Sequence, residues 1–193
     1  WDESLSLYRA TRDLPTILAN TILIQKVVTT DLQPPLYFLI LHFLVGMLGT
    51  SEFALRFLSL VANVGSVALL YVLGRRMFSP LVGSLTAVLG ALSPFYVWFA
   101  QEARPYAMVL FWSLLGMYAL VRAFGDRVIA RSGSDEAISA ARSDRHVDWT
   151  LAYILSTIAA LYTNYYAFFL LPFHAIFILA LVWRDAPARK SFL

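Results

Sequence analysis

Apolar residues in this chain come in long runs, not in the alternation of a half-buried strand or the stripes of a soluble helix. Phe53 to Gly74, Leu81 to Gln101 and Pro105 to Phe124 are each close to the roughly 20 residues that a bilayer-crossing helix needs,. Thr150 to Tyr166 and Ala167 to Trp183 make two more runs, joined through "YTNYYA". A sixth, "PPLYFLILHFLVGMLG" over 34–49, is apolar but short; as a helix it covers about 24 Å of a hydrocarbon core about 30 Å thick,. Polar positions separate these runs. Residues 1–33 are mixed, with Thr16 to Thr30 patterned as an amphipathic interfacial helix, and residues 125–148 are rich in Arg, Asp and Ser and predict a loop.

The pattern predicts an all-α integral membrane protein with about five transmembrane helices and a juxtamembrane helix. Its segments are 1–33 with an acidic pair, a juxtamembrane helix over 34–51, three spans over 52–124, a loop over 125–149, and two spans with a polar end over 150–193. Composition agrees. Hydrophobic residues make up 60% and charged residues 14%, against about 45–50% and about 25% in soluble domains. The net charge of +3 is scattered between apolar runs and forms no basic stripe for nucleic acid,. There is no cysteine, which excludes disulfides and thiol chemistry,. The chain opens on Trp1 without a signal-type run and stops soon after an apolar one, so a piece of a longer membrane protein is expected,.

Lys and Arg near span ends set the orientation. If the side bearing Arg75 and Arg76 is cytoplasmic, the same side collects the arginines of 122–145 and those after Trp183. The other receives only Arg56 and Arg104 beyond the N-terminal segment. That puts "SPFYVWFAQEARPYAM" (93–108) and "YTNYY" together on the extracytoplasmic face. Residues 1–33 stay open: cytoplasmic if 34–49 crosses the bilayer, outside if it lies along the surface.

Several short motifs carry a resemblance, in order along nearly the whole chain. They are "WDES" (1–4), "DLQPPLYF" (31–38), "GTSEFALR" (49–56), the "QEAR" within 93–108 and "LYTNYYAFFLLPFHA" (161–175). Together they resemble the polyprenyl-phosphate-sugar transferases of the GT-C superfamily, in the protein O-mannosyltransferase and aminoarabinose-transferase group (glycosyltransferase family 39, bacterial branch). Gln33 and Asn164 stand where that pattern carries His. The resemblance implies a partial GT-C helical bundle in a bacterial plasma membrane, with 34–49 a surface helix and the acidic pair outside. It implies transfer of one sugar, with inversion, from a polyprenyl-phosphate donor to a protein, lipid or glycan acceptor.

Such a displacement needs a carboxylate to take the acceptor proton and a cation to hold the departing phosphate. Asp2 and Glu3 are the catalytic candidates, with Asp2 as general base by the family pattern; two solvated loop acids are the alternative. Arg56 and Arg104 are candidates for the donor phosphate, because guanidinium offers a planar fork of donors. Arg104 could equally anchor at the interface, and Arg56 could pair with Glu52. Gln101, Glu102, Tyr106, Asn164 and Tyr165 are candidate sugar or acceptor contacts, against an aromatic-belt or helix-capping role. Ser59, Asn63 and Ser66 continue from Arg56 at helical spacing and suit interhelical hydrogen bonds. His42 and His174 stand alone on apolar helices, so no metal site is assigned; a divalent cation bridging Asp2 or Glu3 to the phosphate stays open. Neither a Walker loop nor a G-x-G-x-x-G occurs,. A transporter or channel, and a non-catalytic lipid-binding subunit of the same fold, remain the alternatives to an enzyme.

Overall fold

The computed structural model describes residues 2–24, 27–31, 33–131 and 136–190, and the side chains among them except at 2, 23–29, 125–131, 136–148 and 181–190. The protein is a helical bundle with one small hairpin. α1 (Asp2–Ala10) and α2 (Leu14–Leu18) precede strands β1 (Thr21–Ile24) and β2 (Val27–Thr30); then come α3 (Leu36–Leu48), α4 (Glu52–Met77), α5 (Pro80–Leu92), α6 (Pro94–Ala100), α7 (Tyr106–Arg131), α8 (Glu136–Thr163), a 3-10 turn (Tyr165–Phe169) and α9 (Leu170–Lys190).

Among the described residues α4 and the 106–124 part of α7 are long and apolar enough to cross a bilayer, and α5 with α6 adds a third span if the bent pair counts as one. The expected fourth and fifth spans are helical too, but their apolar parts, Trp149–Thr163 and Tyr165–Ala180, are shorter. α5 and α6 meet at an angle of 59°. The cause is Pro94, which has no N–H for the ladder and whose ring crowds the preceding turn. Ser93 sits at the break in extended conformation, its N–H turned to the Gly90 carbonyl at 3.2 Å.

Two expectations fail locally. Thr16 to Thr30 does not form one amphipathic helix: α2 ends at Leu18, Asn20 takes a positive φ of 51°, and an antiparallel hairpin pairs Thr21 with Thr30 and Ile24 with Val27. "TILI" and "VVTT" are dense in β-branched residues, which are stiff at χ1 and fit a pleated surface better than a helix. The polar 125–149 stretch is not all loop either, since α7 runs to Arg131 and α8 starts at Glu136. Its Ala and Arg are good helix formers, and polarity alone does not break a helix.

One core ties the N-terminal segment to the spans. Ala10, Ile17, Tyr37, Phe38 and Leu41 pack in one cluster with Leu55 and Ala62 of α4, with Ala103 just before α7, and with Ala107 and Met108 at its start. His42 adds a bond from Nδ1 to the Ala10 carbonyl at 2.7 Å, so it serves packing. At the other end α4 and α5 approach backbone to backbone: a Cβ on Gly83 would lie 2.6 Å from the Tyr71 carbonyl oxygen. Small residues permit that approach where burying apolar surface gives no gain, because lipid is as apolar as the helices. The Ser/Asn stripe on α4 is buried, and two of its members reach across. Ser59 Oγ donates to the Arg104 carbonyl at 3.3 Å and Asn63 Nδ2 donates to the Tyr96 carbonyl, whereas Ser66 bonds within α4.

Candidate active site

The start of α4 is fixed locally. Ser51 caps it, its Oγ accepting the Ala54 N–H at 3.2 Å, and Arg56 follows one turn inside,. A guanidinium at that depth has to face protein or a cavity, and it faces α1. Arg56 Nε and Nη2 donate to the two carboxylate oxygens of Glu3 at 2.9 and 3.0 Å, a bidentate pair,. The alternative partner Glu52 stands farther off, at 3.8 Å, and is exposed. Glu3 Oε1 also accepts the Ala103 N–H at 3.3 Å. Glu3 therefore joins three pieces of chain: α1, α4 and the connection between α6 and α7.

That connection is short and tightly turned. Gln101 ends α6, the Arg104 N–H bonds the Glu102 carbonyl at 2.9 Å, and Ala103 is fully buried. With Ala103 pinned inward, its charged neighbours are left at the rim. Trp98, four residues before Glu102, donates its indole N–H to Glu102 Oε1 at 2.9 Å. Among the described residues Glu102 Oε2 accepts no hydrogen bond, and it lies 3.9 Å from Arg104 Nε. The Arg104 guanidinium carbon is 5.8 Å from the ring centre of Tyr106, which in turn packs edge-on against Phe99.

Glu3, Ser4, Arg56, Trp98, Gln101, Glu102 and Arg104 line one open cleft of about 420 Å³. Five of the nine candidates from the sequence thus converge. Tyr106 stands behind Arg104 and outside the lining. Asn164 and Tyr165 are elsewhere: Asn164 is buried and caps the 3-10 turn, its Oδ1 accepting the Tyr166 N–H at 2.9 Å, and Tyr165 Oη meets Asn20 Nδ2 at 3.4 Å. The side chain of Asp2 lies outside the described residues. Trp98 and Ser4 are additions. The four-residue spacing from Trp98 to Glu102, on a helix that ends at Ala100, was the available signal for the first.

A second ion pair has no counterpart in the sequence reading. Arg9 donates bidentately to Asp31, Nε to Oδ2 at 2.6 Å and Nη2 to Oδ1 at 2.7 Å, and Asp31 is only 5% exposed. The Gln33 N–H supports the same carboxylate at 3.1 Å, and Asn20 exchanges two bonds with the Asp31 backbone. This pair holds β2 and the approach to α3 against α1.

The bidentate Arg56 bond holds the Glu3 carboxyl below its ordinary value of 4.5; partial burial opposes this and the Ala103 N–H reinforces it,. A carboxylate depressed in the folded state adds stability that is fully present above the ordinary value and lost as pH falls through the folded one. Glu3→Gln is therefore expected to flatten the loss of thermal stability between about pH 6 and pH 3. Unfolding midpoints across that range check it, and an unchanged slope means that the pair does not hold in solution.

Among the described residues no group of three or more His, Asp or Glu gathers as a metal site. Residues 32–130 match the family model described as dolichyl-phosphate-mannose-protein mannosyltransferase. No curated protein and no solved structure matches the chain.

Proposed function

The chain belongs to the dolichyl-phosphate-mannose-protein mannosyltransferase family, and on that premise we propose that the cleft transfers one sugar from a polyprenyl-phosphate donor to an acceptor hydroxyl on the extracytoplasmic face. The protein is an integral membrane protein of a glycosyltransferase family. The observation that carries the reading is the convergence of Arg56 and Arg104 with Glu3, Glu102 and Trp98 in one cleft at the end of the spans.

Each group has a role suited to its surroundings. Arg104, 29% exposed and backed by Tyr106, holds the phosphate oxygens as negative charge grows on them,. Arg56 adds positive potential while its bidentate bonds keep Glu3 ionised. Glu3 is a positioning residue: through Ala103 it fixes the turn that presents Glu102 and Arg104. Asp2 takes the acceptor proton as that oxygen attacks the anomeric carbon. The bond from that carbon to the phosphate oxygen breaks, and its electron pair leaves on the polyprenyl phosphate. Attack from the face opposite the leaving group gives inversion. Trp98, its indole fixed by Glu102, offers a flat apolar wall to a sugar ring, and Gln101 a carboxamide to its hydroxyls.

The test joins catalysis with sidedness in the whole protein. Proteoliposomes given polyprenyl-phosphate mannose and a hydroxyl acceptor are expected to release polyprenyl phosphate, and Asp2→Asn to stop the release without loss of folded protein. On intact cells an impermeant thiol reagent should label Ser4→Cys and leave Phe78→Cys, exposed at the far end of α4, unlabelled. No transfer from any polyprenyl-phosphate sugar by folded protein overturns the reading. Reversed labelling moves the site to the other face.

A further inference from the structure

The turn that presents Glu102 and Arg104 is held from behind at two points. Glu3 Oε1 accepts the Ala103 N–H at 3.3 Å, and Ser59 Oγ donates to the Arg104 carbonyl at 3.3 Å. Both bonds are at the long end of the range. Beneath them lies Tyr37 of α3, the bulkiest fully buried side chain among the described residues. Its Oη makes no hydrogen bond, although the Ser59 hydroxyl and the Glu3 carboxylate both bear on it. We propose that Tyr37 and Ser59 form a two-hydroxyl strut that closes when the cleft is loaded: Tyr37 Oη donates to Ser59 Oγ, and Ser59 Oγ to the Arg104 carbonyl. Tyr37 is thereby a positioning residue for Arg104. The inference rests on the transfer reaction proposed above, in which Arg104 meets the phosphate, and adds the group that steadies it from the core.

Three observations point to the strut. The first is the orphaned hydroxyl. A buried hydroxyl without a partner weakens a fold, and Phe would fill nearly the same space without that cost. The edge-on contact with Phe38, 5.3 Å between ring centres, uses the Tyr37 ring and survives the change. Packing therefore accounts for the ring and leaves the oxygen without a use in the resting protein. The second is the chemistry of Ser59. A hydroxyl gives one hydrogen and accepts through two lone pairs. The hydrogen of Ser59 goes to the Arg104 carbonyl, so toward Tyr37 it is an acceptor. Hydrogen bonds in series polarise one another, and a bond into Ser59 strengthens the one out of it. The third is place. Tyr37 shares a core cluster with Ala103 and Leu55 and takes no part in lining the cleft, so it acts on the turn from beneath and does not meet substrate. A ligand that draws on Arg104 moves a turn whose bonds at the back have room to shorten.

The experiment compares the whole protein with Tyr37→Phe, Ser59→Ala and the double variant in proteoliposomes. Each is measured for kcat and KM with a polyprenyl-phosphate sugar, and for its unfolding midpoint with and without farnesyl monophosphate as the phosphate probe. Tyr37→Phe is expected to melt no lower than the parent when no ligand is added. It should nevertheless lose roughly tenfold in kcat, the worth of one neutral hydrogen bond, with KM changed less than about twofold. The probe should raise its midpoint less than it raises the parent's. Ser59→Ala should lose at least as much, and the double variant no more than Ser59→Ala alone, because the two hydroxyls act as one unit. A purely structural hydroxyl moves stability and activity together; the strut gives a protein as stable as the parent and slower. Transfer by Tyr37→Phe at the parent's rate overturns the strut and leaves the transferase reading standing. So does a midpoint lowered equally with and without the probe, or a variant that does not fold, since the hydroxyl then belongs to the resting fold. Additive losses in the double variant overturn it as well. If folded parent protein transfers from no polyprenyl-phosphate sugar, the reaction and the strut fall together.

Discussion

Arg104→Ala is expected to lower kcat/KM for sugar transfer by roughly 10²–10³-fold, the cost of removing a preorganised donor from developing charge. The protein should still fold. Its backbone carbonyl accepts from Ser59 of α4, and truncating the side chain leaves that bond in place. Arg104→Lys should rescue little, because a single ammonium cannot reproduce a planar fork backed by the Tyr106 ring,. Single-turnover transfer in proteoliposomes, with thermal unfolding of the same preparation, separates chemistry from folding. A loss under about threefold would remove Arg104 from the phosphate site.

The largest stability effect is expected far from the chemistry, at Asp31. Asp31→Ala leaves the Arg9 guanidinium, 13% exposed, with no carboxylate beside it. Breaking a buried pair from one side costs about 3–5 kcal/mol. Asp31→Asn keeps an acceptor and should cost less. Arg9 also lies over the Phe38 ring, 5.1 Å from its centre, so its displacement disturbs the core under α3. Because that core positions α1, Asp31→Ala should also weaken the Glu3–Arg56 pair and with it the cleft. Denaturant unfolding in a mild detergent measures the first effect. A change below about 1 kcal/mol would mean that water reaches the pair.

What the sequence made legible was what local pattern encodes. Long apolar runs announce α4 and α7, Pro94 announces the bend, and the density of charge and amide at 101–104 marks the polar turn between two spans. The hairpin at 21–30 was misread because sparse polar positions there suit a helical period, while the β-branched density that decides the matter is a separate signal. The two ion pairs were out of reach for a different reason. Arg9 meets Asp31 across 22 positions and Arg56 meets Glu3 across 53; no periodicity links such residues, and only the packed α1–α3–α4 core brings them together. The nearer acid, Glu52, was the natural guess for Arg56, yet one turn of helix places it on the exposed side. Asn164 and Tyr165 drew notice for belonging to a polar aromatic turn on the same side, but sharing a membrane face does not place residues in one cleft.

The glycine crossing of α4 and α5 has a mechanical consequence. Gly83 touches the backbone at Tyr71 and Arg75, so the two helices are pinned at that end. Asn63 and Val64, seven and more positions back along α4, lie about 10 Å or more from the pin. The close approach continues along the pair, where Thr86 Oγ1 donates to the Leu70 carbonyl at 3.3 Å. A single methyl added at Gly83 would act as a wedge between the two helices, a change in their spacing made without touching any residue that lines the polar cleft.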